Sequence, residues 1–132
     1  MIVLIIDDEP GLRQTTSLIL GDEGYEVHLA SDGEEGLAVA EEVQPDIVLC
    51  DMRMPRLSGL AFPDRYRDAG GKGMVIVMTA YGSTDMAIDA MKRGAYDYIS
   101  KPFSADQLIL TLKKAEEREA LRREVGRLRE EV

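Results

Sequence analysis

The sequence predicts an α/β fold: a doubly wound, five-stranded parallel sheet with helices on both faces and an extended C-terminal helix. Five apolar runs of strand length alternate with stretches of helical period. Four of those runs are nearly continuous in apolar residues, as parallel strands covered on both faces require. The stretches between them are long enough for the crossover connections that parallel strands need. Successive βα units of this kind pack with right-handed crossovers.

The first strand is Ile2–Ile6, followed by a helix whose inner stripe is Leu12, Thr16, Ile19 and Leu20. The second strand, residues 25–29, alternates in polarity and belongs at a sheet edge. A capping box from Ser31 to Glu34 opens the second helix, marked by Leu37, Ala40 and Val43. The third strand is 46–50, and the third helix runs from about 58 to 68 with Pro63 near its start. A proline there costs little, because the first N–H groups of a helix have no intrahelical acceptor. The fourth strand is 74–78. The fourth helix, 83–93, turns Ala87, Ile88 and Met91 inward and stops at Gly94. The fifth strand is 95–99. Ser104 and Gln107 form the capping box of the last helix.

Residues 104–132 contain no Pro and only Gly126, so one helix of about 43 Å is expected at about 1.5 Å per residue. A domain of about 100 residues has a radius of gyration near 13 Å, so this helix overshoots the body. Leu108, Leu112 and Ala115 suit the sheet. Leu121, Val125, Leu128 and Val132 recur at spacings of an a/d seam, flanked by pairs such as Glu119–Arg123 and Arg127–Glu131. The chain therefore divides into a domain over 1–115 and a helical, coiled-coil linker over 116–132, leading to an output domain absent from it. A solvated tail is the bland alternative for the linker.

The net charge is −9, with 9 Lys and Arg against 18 Asp and Glu in residues 1–103, and 7 of each in 104–132. No basic stripe exists to neutralise phosphates, which argues against direct nucleic-acid binding. No apolar run approaches the roughly 20 residues of a membrane span, and nothing resembles a signal peptide. One cysteine allows no internal disulfide. A cytoplasmic location is the expectation.

The polar residues at the strand ends carry the chemistry. In an open parallel sheet, ligands sit at the carboxyl ends of the strands, beside the switch in strand order. Asp7-Asp8 follows the first strand, Asp51 the third, Thr79 the fourth and Lys101-Pro102 the fifth. Order 2-1-3-4-5, the flavodoxin-like arrangement, sets those four strands side by side. A carboxylate at the mouth of a buried strand is costly unless something uses it. Three acids, a hydroxyl and an ammonium form a site for a metal ion and a phosphoryl group. Mg²⁺ prefers oxygen ligands in an octahedral set: Asp8 and Asp51 suit direct binding, the backbone carbonyl of Arg53 a third oxygen, and Asp7 a metal-bound water.

These motifs, with Met54-Pro55 and Gly59 after Asp51, Thr79-Ala80 and Lys101-Pro102-Phe103, closely resemble the receiver domain of bacterial two-component response regulators over residues 1–115. The resemblance implies that Asp51 accepts a phosphoryl group from a phosphohistidine on a sensor histidine kinase, with Mg²⁺. Lys101, the Thr79 hydroxyl and the backbone N–H near Ala80 would hold the phosphoryl oxygens. Arg53 and Tyr81 would tune the lifetime of the acyl phosphate, and the Lys101–Pro102 peptide would be cis. Thr79 can reach that phosphoryl group only if residues 79–84 move, which lets Tyr98, the switch aromatic, turn inward. The changed face is the fourth helix, fifth strand and fifth helix, which is also a homodimer surface, alone or together with residues 115–132. No turnover is implied beyond self-catalysed phosphorylation and dephosphorylation. Thr79-Ala80-Tyr81-Gly82-Ser83 and Gly94-Ala95-Tyr96-Asp97-Tyr98 resemble the nitrogen-regulatory class, in which a receiver controls an AAA+ ATPase acting at sigma-54 promoters.

Other readings compete. A Mg²⁺-dependent phosphohydrolase with an aspartyl nucleophile would carry a second acid two residues on, where Arg53 stands. A protein-interaction module that is not phosphorylated would have lost an acid or Lys101, and all are present. A flavin-binding module shares the fold. Residue by residue, Asp7 and Asp8 alone would be solvated loop acids, Thr79 a turn residue and Tyr98 core packing. His28 reads as edge-strand surface and Cys50 as a small buried apolar residue. Gly70-Gly71-Lys72-Gly73 lacks phosphate-loop spacing and reads as a mobile turn.

Overall fold

The computed structural model describes residues 1–52, 61–80 and 84–131, with side chains through Arg127. In chain order the elements are β1 Ile2–Ile6, α1 Pro10–Asp22, β2 Glu26–Ala30, α2 Gly33–Val43, β3 Ile47–Asp51, α3 Phe62–Asp68, β4 Met74–Thr79, α4 Thr84–Lys92, β5 Asp97–Ser100 and α5 Ala105–Glu131. The five strands form one parallel sheet in the order β2-β1-β3-β4-β5. This is the arrangement expected from the alternating pattern, with β2 at an edge.

The three central strands β1, β3 and β4 each feed two cores, because successive side chains point to opposite faces. Leu4, Ile6, Val48, Cys50, Val75 and Val77 pack with Ala40, Phe62, Tyr66 and Ala90 on the face covered by α2, α3 and α4. Val3, Ile5, Ile47, Leu49, Ile76 and Met78 pack with Leu20, Leu108, Leu112 and Ala115 beneath α1 and α5. Pro63 lies in the first turn of α3, where a missing N–H breaks no bond. The Ser104–Gln107 capping box forms in both directions, at 3.1 and 2.9 Å.

Several local expectations shift. The strand placed at 95–99 is found at Asp97–Ser100, because pairing starts with Ile76 opposite Asp97. The capping box from Ser31 to Glu34 does not form. Asp32 is the N-cap and accepts from the Glu35 N–H at 2.8 Å, while the Ser31 hydroxyl donates to the Glu35 carboxylate. Ile88 and Met91 do not face inward: they are 47% and 42% exposed, and Ala87 and Ala90 form the buried side of α4. The 70–73 turn is pinned by Tyr66. Its carbonyl accepts from the Gly71 N–H and its hydroxyl from the Gly73 N–H, both at 2.9 Å. A Cβ on Gly73 would lie 2.6 Å from the Pro45 carbonyl oxygen, so a side chain there forces the backbone to shift. The expected starts of α3 and α4, at Ser58 and Ser83, lie outside the described residues, as do Arg53, Tyr81, Val132 and the side chain of Leu128.

Past Ala115, the last fully buried residue of α5 among those whose side chains are described, the helix continues without interruption through Gly126. Leu121 and Val125 are 64% and 46% exposed. The Glu119–Arg123 pair forms at 3.5 Å, and Arg123 also reaches Asp46 at 2.9 Å. Arg127 pairs with Glu124 at 2.6 Å. No helix among the described residues is long and apolar enough to cross a membrane.

Candidate functional site

Four strand ends converge at one rim of the sheet. Asp7 follows β1, Asp51 ends β3, Thr79 ends β4 and Lys101 follows β5. Backbone bonds extend the ladder past the strands and lock these positions: the Asp7 N–H donates to the Ala30 carbonyl at 3.1 Å, Met52 to Met78 at 3.1 Å, and Lys101 to Thr79 at 2.8 Å. The Lys101–Pro102 peptide is cis, as the resemblance implied.

The Lys101 ammonium bridges two of the acids, donating to Asp7 Oδ2 at 3.0 Å and Asp51 Oδ2 at 3.2 Å. Asp7 and Asp51 are buried, and Asp8 is exposed beside them. Burial alone would lower the Lys101 pKa. The hydrogen bond to Asp7 and the charges of Asp51 and Asp7 outweigh that, so its pKa is raised above the ordinary lysine value. The ammonium is thus a fixed positive charge between the two buried acids.

One carboxylate oxygen from each of Asp7, Asp8 and Asp51 lies within 4.8 Å of the others. Three hard oxygen donors with one exposed member are the ligand chemistry of Mg²⁺, which keeps several waters and takes few protein carboxylates. The cluster is positioned to coordinate a divalent cation. Two positive charges added to these three carboxylates and the Lys101 ammonium sum to zero.

Every polar group of Asp7 is used. Its N–H donates to Ala30, its carbonyl accepts from Arg13 Nη1 at 2.7 Å, Oδ1 accepts from the Glu9 N–H at 3.0 Å, and Oδ2 accepts from Lys101. The Thr79 hydroxyl is buried and lies 3.4 Å from that of Ser100. Two contributors were thus absent from the sequence reading. Ser100 immediately precedes Lys101, and a hydroxyl adjacent to a site lysine was the available hint. Arg13 sits on α1, where only the rotation of the helix reveals its reach to Asp7.

The structure brings Asp7, Asp8, Asp51, Thr79 and Lys101 together, with Ala80 directly after Thr79. Tyr98 stands apart. It is 45% exposed and lines an apolar groove with Thr84, Ala87, Ile88, Met91 and Lys92. Arg53 and Tyr81 lie outside the described residues. Cys50 is fully buried beneath the rim. Burial, then the charges of Asp51 and Asp7, push its thiol pKa well up, which keeps it unreactive. His28 accompanies Glu26 at 3.0 Å on the edge strand, remote from the acids.

Comparison with known proteins gives the same picture from outside the molecule. A family model described as the response regulator receiver domain matches residues 3–113. The regulatory protein AtoC of Escherichia coli is 35% identical over 126 residues, a match covering 96% of this chain and 27% of AtoC. The nitrogen assimilation regulatory protein NtrX of Azorhizobium caulinodans is 37% identical over 130 residues, covering 97% of this chain and 29% of that protein. The crystal structure of NtrX from Brucella abortus in complex with ATP superposes with a TM-score of 0.91 at 38% identity, covering 96% of this chain and 29% of its own. The chain thus spans under a third of each of these proteins. The cluster of Asp7, Asp8 and Asp51 is of the kind found in phosphoaccepting regulators. With matching sequence, strand order and acidic rim, the chain belongs to the response regulator receiver domain family, among relatives that include NtrX and AtoC.

Proposed function

We propose that this chain is a phosphorylation-dependent signalling switch whose phosphoacceptor is Asp51. The observation that carries this reading is the Lys101 ammonium lying between Asp7 and Asp51 within an acidic cluster at the carboxyl ends of the strands. A carboxylate oxygen of Asp51 attacks the phosphorus of a phosphohistidine on a sensor kinase. The O–P bond forms as the N–P bond breaks, and the electron pair stays on the imidazole nitrogen. Aspartyl carboxylates act as nucleophiles of this type. For a loose phosphoryl transition state, the protein's task is alignment and charge neutralisation. Lys101 holds one phosphoryl oxygen, while the Thr79 hydroxyl and the Ala80 N–H hold others. Asp8, Asp51 and the backbone carbonyl of Arg53 would hold Mg²⁺ directly and Asp7 would hold one of its waters; the ion would supply positive charge to offset that of the transferred group. Water later attacks phosphorus, breaks the bond to Asp51 and releases inorganic phosphate; Arg53 and Tyr81 set the pace of that step.

The readout is a two-state element biased by a local charge event. Thr79 exchanges Ser100 for the phosphoryl group, and Tyr98 turns from the α4 groove toward the space left behind. The face made by α4, β5 and α5 changes, and it carries exposed Ile88, Met91 and Tyr98. That face, with or without residues 115–132, is the homodimer contact. Residues 1–115 form the switch, and 116–132 lead to an output domain. The relative named nitrogen assimilation regulatory protein NtrX, and the separate NtrX of Brucella abortus crystallised with ATP, support an AAA+ ATPase acting at sigma-54 promoters as that output.

The test is phosphorylation with acetyl phosphate and Mg²⁺, read by intact mass. One phosphoryl group is expected on the parent and none on Asp51→Asn. A variant that labels at the parent rate refutes the assignment.

A further inference from the structure

We infer that Arg13 is a positioning residue for cation binding, holding the Asp7–Asp8 peptide so that Asp8 is presented to the ion. This rests on the metal-site reading above and adds to it a residue outside the acidic cluster. The Arg13 Nη1 donates to the Asp7 carbonyl oxygen at 2.7 Å, the only side-chain hydrogen bond to that loop from α1 among the described residues. The Asp7 side chain needs no such help, since Glu9 and Lys101 already hold both of its oxygens. Asp8 is in the opposite situation. It is exposed, and it makes no hydrogen bond to any described residue, yet its carboxylate is within 4.8 Å of the other two.

What orients Asp8 is therefore the peptide that precedes it. That peptide's carbonyl is the group gripped by Arg13. On the far side of Asp8 the Glu9 N–H donates to Asp7 Oδ1, and Glu9 makes no side-chain capping bond, so the Arg13 contact is what ties the Asp7–Asp8 peptide to the side chains of α1. Partners one step removed from a metal orient the ligands, and losing one typically weakens binding about 10- to 100-fold.

A bland alternative exists, and its effect has the opposite sign. If Arg13 were only a positive charge near three carboxylates, removing it would strengthen cation binding through the loss of repulsion. If it positions Asp8, removing it weakens binding despite that relief. The sign of the change decides.

The experiment is calorimetric titration of Mg²⁺, without phosphodonor, into the parent chain, Arg13→Met, Arg13→Lys and Asp8→Asn. Far-UV dichroism and melting in the absence of Mg²⁺ establish that each variant is folded. Arg13→Met keeps the aliphatic stem and is expected to bind about ten-fold more weakly. Arg13→Lys keeps a donor and should recover part of that loss. The amide resonance of Asp8 in the metal-free protein should move in Arg13→Met. Equal or tighter Mg²⁺ binding by Arg13→Met overturns the proposal. If that variant does not fold, Arg13→Ala takes its place, and equal or tighter Mg²⁺ binding by it together with an unmoved Asp8 amide overturns the proposal instead. Asp8→Asn retaining parent affinity, or a parent that binds no Mg²⁺, removes the metal-site reading itself and the proposal with it.

Discussion

The two ends of the sheet use buried polarity in opposite ways. At the carboxyl end, Asp7, Asp8 and Asp51 bring three negative charges within 4.8 Å of one another beside the Lys101 ammonium. At the amino end, acceptors and donors are matched within the chain. Asp46 Oδ2 accepts from the Ile2 N–H at 2.8 Å, and Oδ1 from Arg123 at 2.9 Å. The Tyr25 hydroxyl donates to Glu116 at 2.9 Å, and the Tyr66 hydroxyl accepts from Gly73. An end whose polar groups are mutually satisfied is scaffold. An end that gathers like charges at a cost to itself is prepared for a ligand.

That contrast can be broken or sharpened from either side. The largest effect is expected at the carboxyl end. Lys101→Met removes a charge-stabilising donor and should slow phosphorylation by acetyl phosphate about 100-fold or more, read as the rate of mass gain. A rate within a few-fold of the parent would show that the ammonium serves stability alone. Next is the amino end. Gly73→Ala forces a Cβ against the Pro45 carbonyl and the Tyr66 hydroxyl and should cost about 2 kcal/mol, within the range for overpacked positions. The denaturation midpoint reads this, and the phosphorylation rate of the folded fraction should not change. If that rate falls with stability, the two ends are coupled and the contrast fails.

A smaller effect concerns the ligand itself. Mg²⁺ at ten times its dissociation constant should stabilise the native state by about 1.4 kcal/mol, seen as a higher melting temperature that Asp8→Asn loses. An equal rise in that variant would place the ion elsewhere. The smallest is Arg123→Ala. The Arg123 side chain is 64% exposed, so solvent screens its bridge to Asp46, and the loss should stay below about 1 kcal/mol in the same melts. A larger loss would mean that the outgoing helix is held to the body far more firmly than an exposed bridge allows.

Features legible in the sequence and features hidden from it divide along a physical line. Continuous apolar runs such as Ile2–Ile6 marked strands buried on both faces, and the acids, Thr79 and Lys101 directly after them marked the rim. Both signals are local. Ser31 and Asp32 are both good cap residues, and the end of β2 at Ala30 selected the second. Periodicity on α4 offered Ile88 and Met91 as core, but small Ala87 and Ala90 face the sheet, and the larger side chains remain outside. The start of β5 was set by its pairing with β4 rather than by its own apolar content.

The order and polarity of elements, and the set of residues delivered to the carboxyl ends of four strands, were determined by the sequence alone, because hydrophobic period and strand-end position are written residue by residue. The partners of those residues were decided only by the tertiary structure. That Lys101 spans Asp7 and Asp51, that Thr79 rests against Ser100, and that Arg13 grips the Asp7 carbonyl depend on strand register and on the rotation of α1 over the sheet. Such contacts join positions up to 94 residues apart, and no local pattern encodes them: they exist only once packing has fixed where each side chain can reach.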